Sequence, residues 1–336
     1  MKNLGEVNWG FIGVGDVTEV KSGPAFYKVD HSNLVAVMRR DADKAADYAA
    51  RHGVQSWYSD ATKLIKDPGV DAVYVATPPD THAAYAIEAM RAGKPVYVEK
   101  PMARTHAECE EMLAVSRQTG MPLWVAYYRR SLPAFLEAKK LIGAGRIGRP
   151  LMVNIKLYGQ ATERNLAEAD MPWRVIPSIA GGGHFFDLAS HQFDYLDFLL
   201  GEITEVRGIA KNLGGLYQAE DTVSGSWLHD SGVVGTGSWS FIVDEHSRKD
   251  EIVITGEKGS ITLSSFARPG YLKLTTDEGE TETNFENPGH ISQLLVQQLV
   301  DELRGVGKCV STGESAARAS RVLDEMVRDY YPERLA

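Results

Sequence analysis

The chain has 336 residues, 43% of them hydrophobic and 24% charged, with a formal net charge of −9. That length and composition allow two soluble domains with cores of their own. The acidic balance argues against a broad surface for nucleic acid or for an anionic membrane. No apolar run reaches the roughly 18–20 residues of a membrane span. The opening Met1-Lys2-Asn3-Leu4-Gly5-Glu6 lacks the apolar core of a secretory signal, so a cytoplasmic protein is expected. Cys109 and Cys309 stand far apart and imply neither a disulfide framework nor a structural zinc site.

Short apolar runs predict strands over 8–12, 34–38, 72–76, 96–98 and 123–126, and helical spacing predicts helices over 41–51, 81–92 and 105–119 between them. Alternation of this kind means a parallel sheet covered by helices on both faces. A helix over 133–142 and the breaker Gly148-Arg149-Pro150 mark a change of pattern. Strand-like runs follow over 151–158, 204–210, 222–228, 233–239, 251–255, 260–263, 271–275 and 281–285, without helices between most of them, which predicts an antiparallel sheet. A segment helical from about 185 interrupts this series, and helices over 291–304 and 313–330 close the chain. The expected fold class is an α/β Rossmann domain over residues 1–127 plus an α+β domain over 128–336, with a large, open, mostly antiparallel sheet.

Gly13-Val14-Gly15 stands where the first strand ends. The first glycine permits a tight turn and the second lets backbone approach a pyrophosphate, with Asp16 and Val17 next in the turn. Thr18 takes the third fingerprint position, and Pro24 predicts that the following helix starts late, after a short distorted turn. A lone GxG also fits a plain strand turn. At the end of the second strand, where an NAD site carries an acidic residue, stand Arg39 and Arg40. Guanidinium groups pair with a 2′-phosphate, so NADP(H) is the expected cofactor, with NAD the other nicotinamide form; a solvated strand end is the bland alternative. Thr77-Pro78-Pro79 ends the third main strand in place to line a nicotinamide ribose, and His82 opens the next helix.

The chemistry concentrates in Tyr97-Val98-Glu99-Lys100-Pro101 and in the segment Gly181-Gly182-Gly183 to His191. Lys100 leaves the carboxyl end of a parallel strand, where such sheets bind ligands, and an ammonium there would stabilise a developing alkoxide. Glu99 beside it is a candidate for the cofactor site. Asp187 and His191, four residues apart, share a helix face. A histidine suits proton transfer near neutral pH, and the aspartate would orient it. Taken singly, His191 also fits a satisfied core histidine and Asp187 a helix-face carboxylate. His184, Asp187 and His191 offer no fourth metal ligand, and no metal is expected.

These residues, with Ala76-Thr77-Pro78-Pro79-Asp80-Thr81-His82 and Gly183-His184-Phe185-Phe186-Asp187-Leu188-Ala189-Ser190-His191, resemble the glucose–fructose oxidoreductase / inositol dehydrogenase (Gfo/Idh/MocA) family in order and spacing over nearly the whole chain. The resemblance implies hydride transfer between nicotinamide and the hydroxyl or carbonyl of a sugar, sugar derivative or cyclitol, with Lys100, Asp187 and His191 as the catalytic set. It implies a cleft between domains for nicotinamide and substrate, and a homodimer or homotetramer through the open sheet face. Trp173-Arg174 resembles a pair that closes over the cofactor in relatives, and His290 stands where several place a tyrosine near the nicotinamide. Tyr127-Tyr128-Arg129-Arg130 falls where members vary. Substrate specificity is expected in loops over 159–177 and 214–221. Two other readings stay open: a redox-neutral glycosidase that retains NAD, and a non-catalytic dinucleotide-binding regulator.

Overall fold

A computed structural model describes residues 4–160 and 171–335; the part of the expected specificity loop over 161–170 lies outside the described residues. The chain forms two compact units. One takes in the described residues up to Ala103, with Ala107–Tyr128 and Pro288–Ala317; the other takes in Arg104–His106, the described residues of Arg129–Asn287, and the described residues from Arg318 onward.

The first unit is built on six strands: β1 (Val7–Ile12), β2 (Ser32–Met38), β3 (Ser56–Tyr58), β4 (Ala72–Val75), β5 (Val96–Val98) and β6 (Leu123–Val125). They lie in the order β3-β2-β1-β4-β5-β6, all pairings parallel. The helices between them are α1 (Gly23–Phe26), α2 (Ala42–His52), α3 (Ala61–Ile65), α4 (His82–Arg91) and α5 (His106–Thr119). Every residue of β4, β5 and β6 is buried, which is why these strands read as continuous apolar runs. Asp41 caps α2 by accepting the Lys44 N–H, and Gly53 closes that helix in the left-handed region. Against the central strands lies an aromatic cluster of Trp9, Phe11, Phe26, Tyr74 and Tyr97, each fully buried.

The second unit begins with α6 (Pro133–Gly143) and continues through β7 (Pro150–Tyr158), α7 (Pro177–Ala180) and α8 (His184–Leu200). Seven more strands follow: β8 (Ile203–Lys211), β9 (Thr222–His229), β10 (Val234–Ser240), β11 (Lys249–Gly256), β12 (Gly259–Leu263), β13 (Gly270–Thr276) and β14 (Gly279–Phe285). With β7 they make an eight-stranded sheet, β14-β13-β12-β11-β7-β10-β9-β8, antiparallel except where β10 pairs with β7. Alternate residues face α8. Trp227 and Trp239 pack edge-on and tilted against Phe185 and Phe193, and Trp239 Nε1 donates to Gln192 Oε1 at 2.7 Å. These aromatics are core, holding α8 to the sheet with large buried areas. The chain ends with α9 (Gln293–Leu303), part of the first unit, and α10 (Gly313–Met326).

No helix among the described residues is long and apolar enough to cross a membrane. Cys109 and Cys309 are both buried.

Candidate active site

In the first unit, β1 runs into Gly13 at φ +92°, a conformation that favours glycine. A Cβ there would stand 2.6 Å from Thr77 Cγ2, so the turn also presses directly on the exit of β4. A Cβ on Gly15 would meet nothing within 4 Å, which leaves that side of the turn open. Thr18, at the third fingerprint position, is fully buried and closes the turn on itself: the Gly15 N–H donates to Thr18 Oγ1 at 3.0 Å, and the Thr18 hydroxyl donates to Gly15 O at 2.9 Å. The helix after the loop is split as Pro24 predicts, into a π-type turn (Val17–Lys21) and then α1 with Pro24 in its first turn. The close approach expected at a third glycine occurs at Gly23, where a Cβ would collide with the Thr18 carbonyl oxygen.

Among the described residues the N–H groups of Asp16 and Val17 have no acceptor, as expected at a helix start. Two backbone donors beside an open glycine fit a pyrophosphate. Arg39 lies over the same loop, its Nη1 donating to Val14 O at 3.0 Å, whereas Arg40 is exposed at the strand end. The two arginines therefore differ in a way their adjacency concealed.

Beyond β4, the Thr81 hydroxyl lies 2.7 Å from Thr77 Oγ1 and 3.1 Å from Pro78 O, and Pro79 opens a short 3₁₀ turn. His82 is wholly buried, its Nε2 2.7 Å from Thr77 O and its Nδ1 3.0 Å from Pro101 O. Desolvation lowers its pKa, against the pull of those two carbonyls. It thus pins the exit of β4 to the turn after β5. That turn carries Glu99 and Lys100, with a cis Lys100–Pro101 bond. Glu99 Oε1 accepts the Tyr74 hydroxyl at 2.6 Å, and Oε2 accepts the Lys100 N–H at 3.2 Å. His290 keeps other company: its Nε2 lies 2.7 Å from Lys28 Nζ, in the segment between α1 and β2.

In the second unit, Asp187 and His191 both lie on α8, His191 buried and 6.3 Å, ring to ring, from Phe266. Arg174 Nε is 3.4 Å from Asp187 Oδ2, and its guanidinium lies 4.4 Å from the centre of the Trp173 ring. Trp173-Arg174 therefore meets one of the two α8 candidates directly. His184, one turn earlier, is held in the first turn by Phe241 and Tyr217, and burial lowers its pKa. Among the described residues no group of three His, Cys, Asp or Glu side chains is placed to hold a metal ion.

Sequence reasoning missed the residue that anchors α8. Gly183 precedes the helix, and its N–H donates to Glu220 Oε1 at 2.9 Å; Tyr331 donates to Glu220 Oε2 at 2.7 Å. A Cβ on Gly183 would collide with the Glu220 carbonyl oxygen. The only local hint was Glu220-Asp221 placed just ahead of an apolar strand. Burial pushes the Glu220 carboxyl up to about 7, against its two hydrogen bonds. A carboxyl whose folded pKa is raised contributes stability that is complete below its unfolded value and is lost as pH rises through about 7. Glu220→Gln cannot ionise. Relative to wild type it should gain stability between pH 5 and pH 8, by up to about 1.4 kcal/mol per pH unit inside the window. Urea midpoints at the two pH values check this, and an equal wild-type-to-variant difference at both would refute it.

A parallel sheet with a glycine turn at the end of its first strand, and backbone donors without acceptors among the described residues, fits a dinucleotide-binding protein, and the known proteins place it among oxidoreductases. Residues 7–127 match the oxidoreductase family with an NAD-binding Rossmann fold, and residues 135–262 match the GFO/IDH/MocA C-terminal domain. The chain is 38% identical to Oxidoreductase P35 of Formosa agariphila over 95% of its own length and 97% of that protein's. It is 28% identical to 1,5-anhydro-D-fructose reductase of Ensifer adhaerens, covering 91% of each chain. It is 27% identical to scyllo-inositol 2-dehydrogenase (NAD(+)) of Bacillus subtilis, over 92% of this chain and 88% of that one. The chain belongs to the Gfo/Idh/MocA family of NAD(P)-dependent oxidoreductases.

Proposed function

We propose that the protein transfers a hydride between NADP(H) and a hydroxyl or carbonyl carbon of a sugar, sugar derivative or cyclitol, acting in the cytoplasm. The observation that carries the cofactor half is the turn itself: the Asp16 and Val17 N–H groups without acceptors among the described residues, with Arg39 bonded to Val14 O above them. The substrate half is supported by the names of relatives that match nearly end to end, a sugar-derivative reductase and a cyclitol dehydrogenase.

In this reading residues 1–127 hold the nucleotide and residues 128–336 hold the substrate. The bound nicotinamide supplies or accepts the hydride. Gly13, Gly15, Asp16 and Val17 hold the pyrophosphate; Arg39 and Arg40 face the adenosine 2′-phosphate; Thr77, Pro78, Pro79, His82 and Glu99 shape the nicotinamide ribose side; Trp173 and Arg174 cover it. His290 belongs to the same set in the sequence reading, but its contact with Lys28 lends that role no support. Lys100 holds the reacting oxygen and stabilises negative charge as it develops there. His191 takes the hydroxyl proton in oxidation and returns it in reduction, and Asp187 orients the histidine and the substrate. A homodimer or homotetramer through the outer face of the second sheet is part of the proposal; Met152 and Val234, cross-strand neighbours on β7 and β10, are 52% and 44% exposed there.

NAD(H) is the second cofactor reading, favoured by the NAD(+)-dependent relative. Titration with NADPH and NADH side by side, followed by nicotinamide fluorescence, decides between them. Replacing Arg39 and Arg40 by Ala should weaken NADPH binding roughly ten- to hundredfold, the worth of one or two charge-assisted hydrogen bonds, and NADH far less. Equal losses for both nucleotides would remove the 2′-phosphate role. A screen of sugars and polyols with the preferred oxidised nucleotide then tests the substrate class.

A further inference from the structure

Tyr74 lies in the middle of β4, fully buried, with Phe26 and Tyr97 stacked against its ring at 4.9 and 5.1 Å and Phe11 edge-on at 5.0 Å. Nothing in that packing needs a hydroxyl. Yet the hydroxyl is doubly engaged: it donates to Glu99 Oε1 at 2.6 Å, and Ser22 Oγ lies 2.7 Å away. Burial, then the Glu99 charge, pushes the phenol well above its ordinary value, so it keeps its hydrogen.

Counting hydrogens fixes the direction. Tyr74 has one to give, and the carboxylate takes it. The Ser22–Tyr74 link must then use the serine hydrogen. Val17 O, 3.2 Å from Ser22 Oγ, already accepts the Ser22 N–H at 2.9 Å and loses nothing. The chain therefore runs from Ser22, at the junction of the π-type turn and α1, through Tyr74 to Glu99 Oε1. Glu99 Oε2, in turn, accepts the Lys100 N–H. Ordered chains of this kind hold each member more firmly than its pairs would alone.

We propose that Tyr74 and Ser22 are positioning residues that tie the Glu99 carboxylate to the dinucleotide turn, so that nucleotide binding at residues 13–21 and the placement of Lys100 are coupled. This rests on the proposed function, in which Glu99 and Lys100 serve the cofactor and substrate. The same stack provides an internal control. Tyr97 is equally buried, but its hydroxyl has no hydrogen-bond partner among the described residues.

The test is titration of the full chain with NADH and NADPH, reading both the dissociation constant and the emission of the bound nucleotide. Tyr74→Phe should weaken binding about tenfold, the effect of stranding a partly buried carboxylate, and should shift the bound emission towards that of free nucleotide. Ser22→Ala should act in the same direction and less. The double variant should match Tyr74→Phe alone, because Ser22 acts through the tyrosine. Tyr97→Phe should leave both readouts at wild-type values. Wild-type binding by Tyr74→Phe, losses that multiply in the double variant, or an equal loss in Tyr97→Phe would each overturn the proposal. Should Tyr74→Phe fail to fold, Ser22→Ala decides, since it leaves the aromatic stack intact; unchanged binding there overturns the relay. Wild-type protein that binds neither nucleotide overturns the functional reading itself, an outcome distinct from all of these.

Discussion

Lys100→Met should lower turnover on a verified substrate by about 10²–10³-fold, the usual cost of removing a group that stabilises developing negative charge. Nucleotide affinity should change far less. Methionine keeps the length and flexibility of the lysine stem and removes only the ammonium. The surroundings that hold the position survive the change: the backbone N–H of residue 100 still donates to Glu99 Oε2, and His82 still bridges Thr77 O and Pro101 O. A loss confined to turnover would therefore locate the defect in charge stabilisation rather than in the turn. His191→Asn should also lose turnover, with the loss depending on pH, because the missing group is a proton carrier. Near-normal turnover in Lys100→Met would remove the lysine from the mechanism, whatever the histidine variant did.

The apolar runs that became β1, β4, β5 and β6 were legible because both faces of a parallel sheet are covered, so local composition and final burial coincide. β3 was not legible. It has three residues at the sheet's edge, and Trp57 in its middle is 47% exposed, so neither period nor burial marked it. The split helix after the glycine turn was readable from Pro24, whose ring suits a first turn and nothing later. Arg39 and Arg40 looked equivalent because sequence carries no direction. Only the bend at the end of β2 sends one to Val14 O and the other into solvent.

The supporting residues were harder still. Tyr74 reads as one more apolar strand position, and its partners Ser22 and Glu99 lie 52 and 25 residues away. Glu220 reaches Gly183 across 37 residues and carries no motif of its own. Motifs reveal the groups proposed to touch cofactor and substrate, because those are constrained by chemistry that recurs. The groups that hold them are constrained by packing particular to the fold, and single-sequence patterns do not encode it.

Arg130 is the centre of a buried charge network, and it yields the largest stability effect. Its guanidinium is buried in the second unit and forks onto Asp194: Nε to Oδ2 at 2.8 Å and Nη2 to Oδ1 at 2.8 Å, with Asp197 Oδ2 at 3.3 Å from Nη2. Burial works against its charge, but Asp194 and Asp197 outweigh it and hold the guanidinium above its ordinary value. Arg318 completes the network from α10, donating to both oxygens of Asp197. Arg130→Met should destabilise the protein by roughly 3–5 kcal/mol, because it leaves Asp194 as a buried carboxylate without its partner. The apolar double variant Arg130→Met with Asp194→Leu should recover much of that loss, since a buried ion pair replaced as a whole by packed side chains is often near neutral. Urea unfolding of both variants measures the difference. A single variant within about 1 kcal/mol of wild type, the range of an exposed pair, would mean that water reaches Asp194 and that the network does not hold α8 in place. If the single variant is badly destabilised and the double is rescued, the charges of Arg130 and Asp194 serve to keep one another company, and α8 owes its position to the aromatic core beneath it and to the Glu220 anchor at its start.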